Sequence, residues 1–264
     1  MRDTVTLAAA AAREAIRTGT GEGIRIAVID SGIELSHPEL EGLKLADDVS
    51  VSSDGLLVQV GPGKGRDVFG HGTAIAGILR RGAPRAAIGS FRVLNERLGG
   101  RTATIREGVR QAIDRGYHIL NCSFGCRGEV QYVMQYKEWI DEAYLKGIHV
   151  VAACNNFDFS VPEWPGYFPS VITVNMARTA GPSLFYGRGH LVEFAAAGEN
   201  IEVAWMGGAR KTVTGSSYAA PHVAALLARL LSAYPDLPPL EAKALLHRIA
   251  QPLGSGAMAD SLSQ

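Results

Sequence analysis

Three short stretches carry residues able to do chemistry: Asp30-Ser31-Gly32, Gly70-His71-Gly72-Thr73 and Gly215-Ser216-Ser217-Tyr218-Ala219-Ala220-Pro221. The last two set a reactive side chain between small neighbours at the expected start of a helix. TAIAGIL follows Gly72, and YAAPHVAALLARLL follows Ser217; Pro221 is expected in the first turn of that helix, where a missing N–H is tolerated. A serine at a helix N-terminus has orphan N–H groups and the positive dipole end beside it, which favour negative charge forming on a substrate oxygen. Serine alone is a weak nucleophile and needs a base. An imidazole with a pKa of about 6.5 suits that task, and a carboxylate fixes its tautomer. Asp30, His71 and Ser217 supply these parts in the order Asp–His–Ser, and the chemistry would be acyl transfer. Taken singly, each has a plainer reading: a turn residue, a core histidine, an N-cap.

The elements that must position them follow from hydrophobic patterning. Ile24–Ile29, Ile88–Leu94, His118–Cys122, Ile148–Ala153 and Val171–Asn175 are apolar runs rich in β-branched residues and read as buried strands. Ile105–Ile113, Gln131–Leu145, Tyr218–Leu231 and Leu240–Ile249 show i, i+3, i+4 apolar spacing and read as helices. Strands alternating with helices imply right-handed βαβ units and a mostly parallel central sheet with helices on both faces, an α/β fold. In such sheets functional residues gather at the carboxyl ends of strands. Asp30 follows the first strand directly, Ser123 follows His118–Cys122, and Asn155 follows Ile148–Ala153 after Cys154.

These segments together resemble the subtilases, the subtilisin-like serine proteases. The matching stretches are VIDSGIELSHPEL (Val28–Leu40), GHGTAIAGIL (Gly70–Leu79), NCSFG (Asn121–Gly125), VVAACNN (Val150–Asn156) and GSSYAAPHVAALLA (Gly215–Ala228). The family usually shows DTG or DSG, HGT, SLG, AAGN and GTSMAAPHV in that order. The resemblance implies a subtilisin-like single domain with Asp30 as orienting acid, His71 as general base and acid, and Ser217 as nucleophile. It implies Asn155 as the side-chain donor of the oxyanion hole, paired with the Ser217 N–H. Ser123-Phe124-Gly125 corresponds to the segment that pairs with an extended peptide or protein substrate as an added strand.

The chain departs from the family pattern at several points. GTSMAAP reads GSSYAAP, so Ser216 replaces Thr and Tyr218 replaces Met, adding bulk beside the scissile bond. Cys154 replaces the Gly before the oxyanion Asn, and Cys126 follows the substrate-pairing segment. With Ala153 they would wall the pocket for the residue before the cut (P1). Free thiols are the simpler expectation for Cys122, Cys126 and Cys154; pairing of Cys126 with Cys154 across that pocket is the alternative. Glu163, in the Glu163-Trp164-Pro165-Gly166 stretch, would lie near the pocket floor and favour Lys or Arg, with Asp158 equally eligible. The stretch after the histidine helix, Arg80–Ala87, is basic and lacks a carboxylate, so the calcium loop of secreted members is not expected there. No cofactor is expected, and no spacing of the histidines suggests a metal; calcium elsewhere is not legible.

Composition bounds the rest. The chain has 264 residues, 47% hydrophobic and 20% charged, which suits one large domain and excludes a self-repelling disordered coil. Twenty-six basic and 26 acidic residues leave no net charge to hold nucleic acid, and no apolar run approaches the roughly 18 residues of a membrane span. Residues 1–22 read as a helical N-terminal extension rather than a secretory signal, which points to the cytoplasm; 23–254 form the peptidase domain, and 255–264 a tail. Gly19-Thr20-Gly21-Glu22-Gly23 precedes a strand instead of following one, so it is no dinucleotide loop. Besides hydrolysis, two readings stay open: a peptide-maturation protease or transpeptidase forming rings or ligated products through the same acyl-enzyme, and a non-catalytic peptide-binding relative. The oligomeric state is not legible.

Overall fold

The computed structural model describes residues 7–55, 57–157, 161–179, 183–187 and 192–253. Asp158, His190 and the tail 255–264 lie outside the described residues. The chain opens with helix α1 (Ala9–Thr18), strand β1 (Arg25–Asp30) and the hairpin β2 (Asp48–Asp54) and β3 (Leu57–Pro62). Helix α2 (His71–Gly82), β4 (Ala87–Arg92), α3 (Thr102–Asp114), β5 (Ile119–Cys122), β6 (Cys126–Arg127), α4 (Val130–Leu145) and β7 (His149–Ala153) follow. Then come β8 (Glu163–Trp164), β9 (Ile172–Ala177), β10 (Phe185–Tyr186), β11 (Phe194–Ala197), β12 (Ile201–Trp205) and β13 (Ala209–Val213). The last described elements are α5 (Ser216–Ala233), α6 (Pro239–Ile249) and β14 (Gln251–Pro252).

Ten strands form one sheet in the order β14-β10-β11-β9-β7-β5-β1-β4-β2-β3. From β11 to β2 every pairing is parallel; β2 with β3 and β10 with β11 are antiparallel. The five expected strands and four expected helices are all present, with ends shifted by a few residues. Asp30 proves to be the last residue of β1 rather than the residue after it.

Alternation along β1 shows why a parallel strand reads as a continuous apolar run. Ile26 and Val28 pack into the core under α2 and α5, while Ala27 and Ile29 pack into the opposite core under α3 and α4. Helix α1 belongs to the first core: Ala12 and Ala15 are buried there, and Arg229 of α5 donates to the Gly19 carbonyl at 2.5 Å. Among the described residues no helix is long and apolar enough to cross a membrane.

Pro221 is the sixth residue of α5, not a first-turn residue. A proline at that position cannot donate to the carbonyl four residues back, which is that of Ser217. The Ser123 hydroxyl donates to that carbonyl instead, at 2.9 Å. The helix therefore continues through the proline, and the carbonyl it leaves without an amide is satisfied from the end of β5.

Helix α2 runs through the middle of the first core, with Ile75 fully buried. Truncating a buried isoleucine removes transfer energy and leaves a cavity, together about 2–5 kcal/mol. Ile75→Ala is therefore expected to lower the unfolding free energy by that amount, moving the urea midpoint down without changing the denaturant slope, as read by equilibrium unfolding.

Candidate active site

The sheet order places β7, β5 and β1 side by side. Their carboxyl ends therefore bring Asn155, Ser123 and Asp30 to one edge of the molecule, although these residues are far apart in the chain. Helices α2 and α5 pack against each other on one face and begin at that same edge, with His71 at the start of α2 and Ser217 in the first turn of α5.

The three expected side chains meet. His71 Nδ1 lies 2.9 Å from both Asp30 carboxylate oxygens, and His71 Nε2 lies 3.0 Å from Ser217 Oγ. Asp30 is fully buried and His71 almost so, whereas Ser217 is half-buried. The Ser31 N–H donates to Asp30 Oδ1 at 2.7 Å. Burial pulls the His71 pKa down, but the charge and hydrogen bond of Asp30, with a further pull from Asp67, outweigh it and leave it above 6.5. Ser216 cannot replace Ser217: it is fully buried, its Oγ donates to the Cys154 carbonyl at 2.6 Å, and its N–H is taken by Asn156 Oδ1 at 2.8 Å.

Two features hold Asp30 to His71. Gly72 sits where any Cβ would collide with the Gly32 carbonyl oxygen, so α2 approaches the end of β1 at backbone contact. Asp67 then ties the two segments together with five hydrogen bonds. Its Oδ1 accepts from Ser31 Oγ (2.8 Å), Phe69 N (3.0 Å) and Gly70 N (2.8 Å); its Oδ2 accepts from Thr73 N (2.8 Å) and Thr73 Oγ1 (2.6 Å). Hydrogen bonds to a charged carboxylate contribute about 1.5–3 kcal/mol each, so this clamp outweighs any single exposed ion pair. The sequence reading missed Asp67; the available signal was an acidic residue just ahead of a helix start, where exposed N–H groups need acceptors.

A cleft of about 260 Å³ opens beside Ser217, lined by His71, Leu94, Leu98, Ser123, Phe124, Gly125, Ala153, Cys154, Asn155 and Glu163 among others. Most of the expected substrate-contacting residues are thus together. Asn155 Oδ1 accepts from the Phe157 N–H at 2.8 Å, which fixes the side chain on its loop. Glu163 reaches the cleft because Gly125 has no side chain; a Cβ there would collide with its carboxylate. Burial raises the Glu163 pKa.

Two expected contributors fall elsewhere. Cys126 packs at the edge of the core under α4, and Tyr218 is buried with its ring 5.1 Å from the His71 ring, tilted 57°. Neither lines this cleft. All three cysteines are free thiols, so Cys126 and Cys154 are not paired: they sit in different apolar clusters, Cys154 with Tyr167 and Val192. Burial pushes the Cys154 thiol up to about 12, leaving it protonated and inert at neutral pH. Among the described residues no cluster of His, Cys, Asp or Glu is arranged to hold a metal.

Comparison with known proteins gives this geometry its lineage. The model of the subtilase family matches residues 21–262. Thermitase from Thermoactinomyces vulgaris is 30% identical over 223 residues, covering 80% of this chain and 76% of that protein. Subtilisin from Bacillus pumilus is 30% identical over 250 residues, covering 89% and 86%. The crystal structure of a cold adapted subtilisin-like serine proteinase superposes with a TM-score of 0.71 at 25% identity, over 94% of this chain and 88% of that one. With the family match extending over nearly the whole length and the fold shared, this chain belongs to the subtilase family of serine peptidases.

Proposed function

We propose that the chain is an endopeptidase whose triad is Asp30, His71 and Ser217, with Asn155 in the oxyanion hole and a preference for Lys or Arg at P1. The observation that carries the catalytic part is the unbroken line from the Asp30 carboxylate through both ring nitrogens of His71 to Ser217 Oγ at the mouth of a cleft.

Ser217 Oγ attacks the scissile carbonyl as its proton passes to His71 Nε2. Asp30 holds the proton on Nδ1 and stabilises the imidazolium that forms. Negative charge grows on the carbonyl oxygen, which receives the Ser217 N–H at the start of α5 and the Asn155 side-chain amide. His71 then delivers the proton to the leaving amine, and a water activated the same way releases the acid. The Ser123 hydroxyl supports the nucleophile from behind, accepting from Asn121 Nδ2 at 2.9 Å while donating to the Ser217 carbonyl.

The P1 preference rests on Glu163 in the cleft wall. A second cavity of about 640 Å³ shares Asn155, Phe157 and Glu163 with the cleft and adds Glu129, Val161 and Pro162. Apolar walls ending in carboxylates suit a long alkyl stem with a cationic tip.

Three outcomes test this reading. A fluorophosphonate is expected to label Ser217 in the wild type and not in Ser217→Ala. Peptide cleavage should add one water to the product mass, and Ser217→Ala should lose about 10⁶-fold in kcat, the magnitude found in subtilisin itself. Asn155→Ala should lose about 100- to 1,000-fold, again the subtilisin magnitude.

His71 must be neutral to accept a proton, so kcat/KM should fall as pH drops, with a midpoint above 6.5. Asp67→Asn weakens the clamp and removes a negative charge near the ring. That variant should shift the midpoint to lower pH and cut kcat by about ten- to a hundredfold with little change in KM. A purely structural role for Asp67 would leave the midpoint in place.

The preference for Lys or Arg over Leu at P1 should strengthen as pH rises through the raised Glu163 pKa and collapse in Glu163→Gln. Equal kcat/KM for Arg and Leu peptides at pH 8 would remove the basic preference from the account.

A further inference from the structure

A hollow of about 550 Å³ outside the catalytic cleft and its P1 extension is lined by Ser50, Ser52, Arg92, Asn95, Arg101 and Thr104, with Leu94 and Glu96. Leu94 also lines the catalytic cleft, so the two hollows share a wall. Arg92 ends β4, in register with Asp30 on β1 and with Ser50 on β2. It therefore stands on the same sheet face as the triad carboxylate, one strand away.

Of the other half-buried arginines, Arg25 and Arg115 pair with Asp47, while Arg80 and Arg229 donate to backbone carbonyls. Arg92 is half-buried too, but its Nε and Nη2 reach only the Ser50 hydroxyl, at 3.1 and 2.7 Å, and among the described residues it forms no ion pair. Withdrawing a cation from water without a counter-charge is unfavourable, and the penalty is relieved when the counter-charge arrives with a ligand. Arg101, donating to the Gly55 carbonyl, adds a second positive charge to the lining. Glu96 is exposed and is the one carboxylate of that lining, so the hollow keeps an excess of positive charge.

A substrate lying as an added strand along Ser123-Phe124-Gly125 sends successive side chains to opposite sides. With the P1 side chain directed to Glu163, the one before it turns toward His71 and Leu94, beyond which Arg92 waits. We infer that this hollow is a subsite for a carboxylate, and that the enzyme selects Asp or Glu at the second position before the cut. Arg92 receives that carboxylate through charge-assisted hydrogen bonds, with the Ser50 hydroxyl orienting the guanidinium. The inference rests on the endopeptidase reading above and names its substrate class more closely.

The test uses two peptides that differ only in Glu or Gln at the second position before the cut. In the wild type kcat/KM is expected to favour Glu by roughly tenfold or more, less so as salt rises. In Arg92→Gln the ratio should fall to about one, and Arg92→Lys should retain part of it. Fluorophosphonate labelling of Ser217 in each variant reports that the site has folded; Arg101→Gln, at the exposed side of the hollow, is the second variant and should lower the ratio by a smaller factor. A ratio near one in the wild type, or a ratio in both Arg92→Gln and Arg101→Gln equal to that of the wild type, overturns the subsite. If neither peptide is cleaved and Ser217 takes no label, the endopeptidase reading falls and the subsite with it. Cleavage of both peptides at equal rates removes the subsite alone.

Discussion

The hydrogen bond between His71 and Asp30 is buried on every side, and the positions of four segments are set by the need to keep it there. A carboxylate with no access to water needs partners, and Asp30 finds them in the imidazole and the Ser31 amide. That arrangement in turn requires α2 to begin at backbone contact with the end of β1, which Gly72 permits and Asp67 secures. Once His71 is fixed, the hydroxyl that meets its other nitrogen must come from α5, because α2 and α5 pack together through the first core.

The site is thus assembled from two kinds of position that share an edge. Strand ends supply Asp30, Ser123 and Asn155, held by the parallel ladder; helix starts supply His71 and Ser217, held by helix packing. Pro221 joins the two sets. By removing one N–H from α5 it gives the Ser217 carbonyl to Ser123, so the start of α5 is tethered to the end of β5. The same logic excludes Ser216, whose hydroxyl and amide are spent joining α5 to the Cys154–Asn156 loop.

Much of this was legible before any coordinates, for identifiable reasons. The central strands are buried on both faces, so β1 reads as the unbroken run IRIAVI, and the triad sits in short stretches of distinctive composition. The edge formed by β10 and β14 was not legible, since each is two residues and too short for any periodicity; nor was the separate β12–β13 hairpin, which carries Glu202, Arg210 and Lys211 on solvent-facing positions. Helix starts were placed late because Thr102 and Ser216 are polar and lie outside the apolar spacing. Pro221 was misplaced because composition alone suggests a first-turn proline, whereas a neighbouring hydroxyl made a later position acceptable. Asp67 and Arg92 were missed because their importance lies in what surrounds them in space: five donors around one, and a serine hydroxyl in place of an ion pair, among the described residues, at the other.

The account stands on which ring nitrogen of His71 carries the proton when the ring is neutral. Nitrogen-15 NMR of histidine-labelled protein, with His71 assigned through His71→Gln and recorded above its raised pKa, reads this directly. The predicted result is a proton on Nδ1, shared with Asp30, and an unprotonated Nε2 facing Ser217. A proton on Nε2 would leave that nitrogen unable to receive the Ser217 proton and would contradict the account.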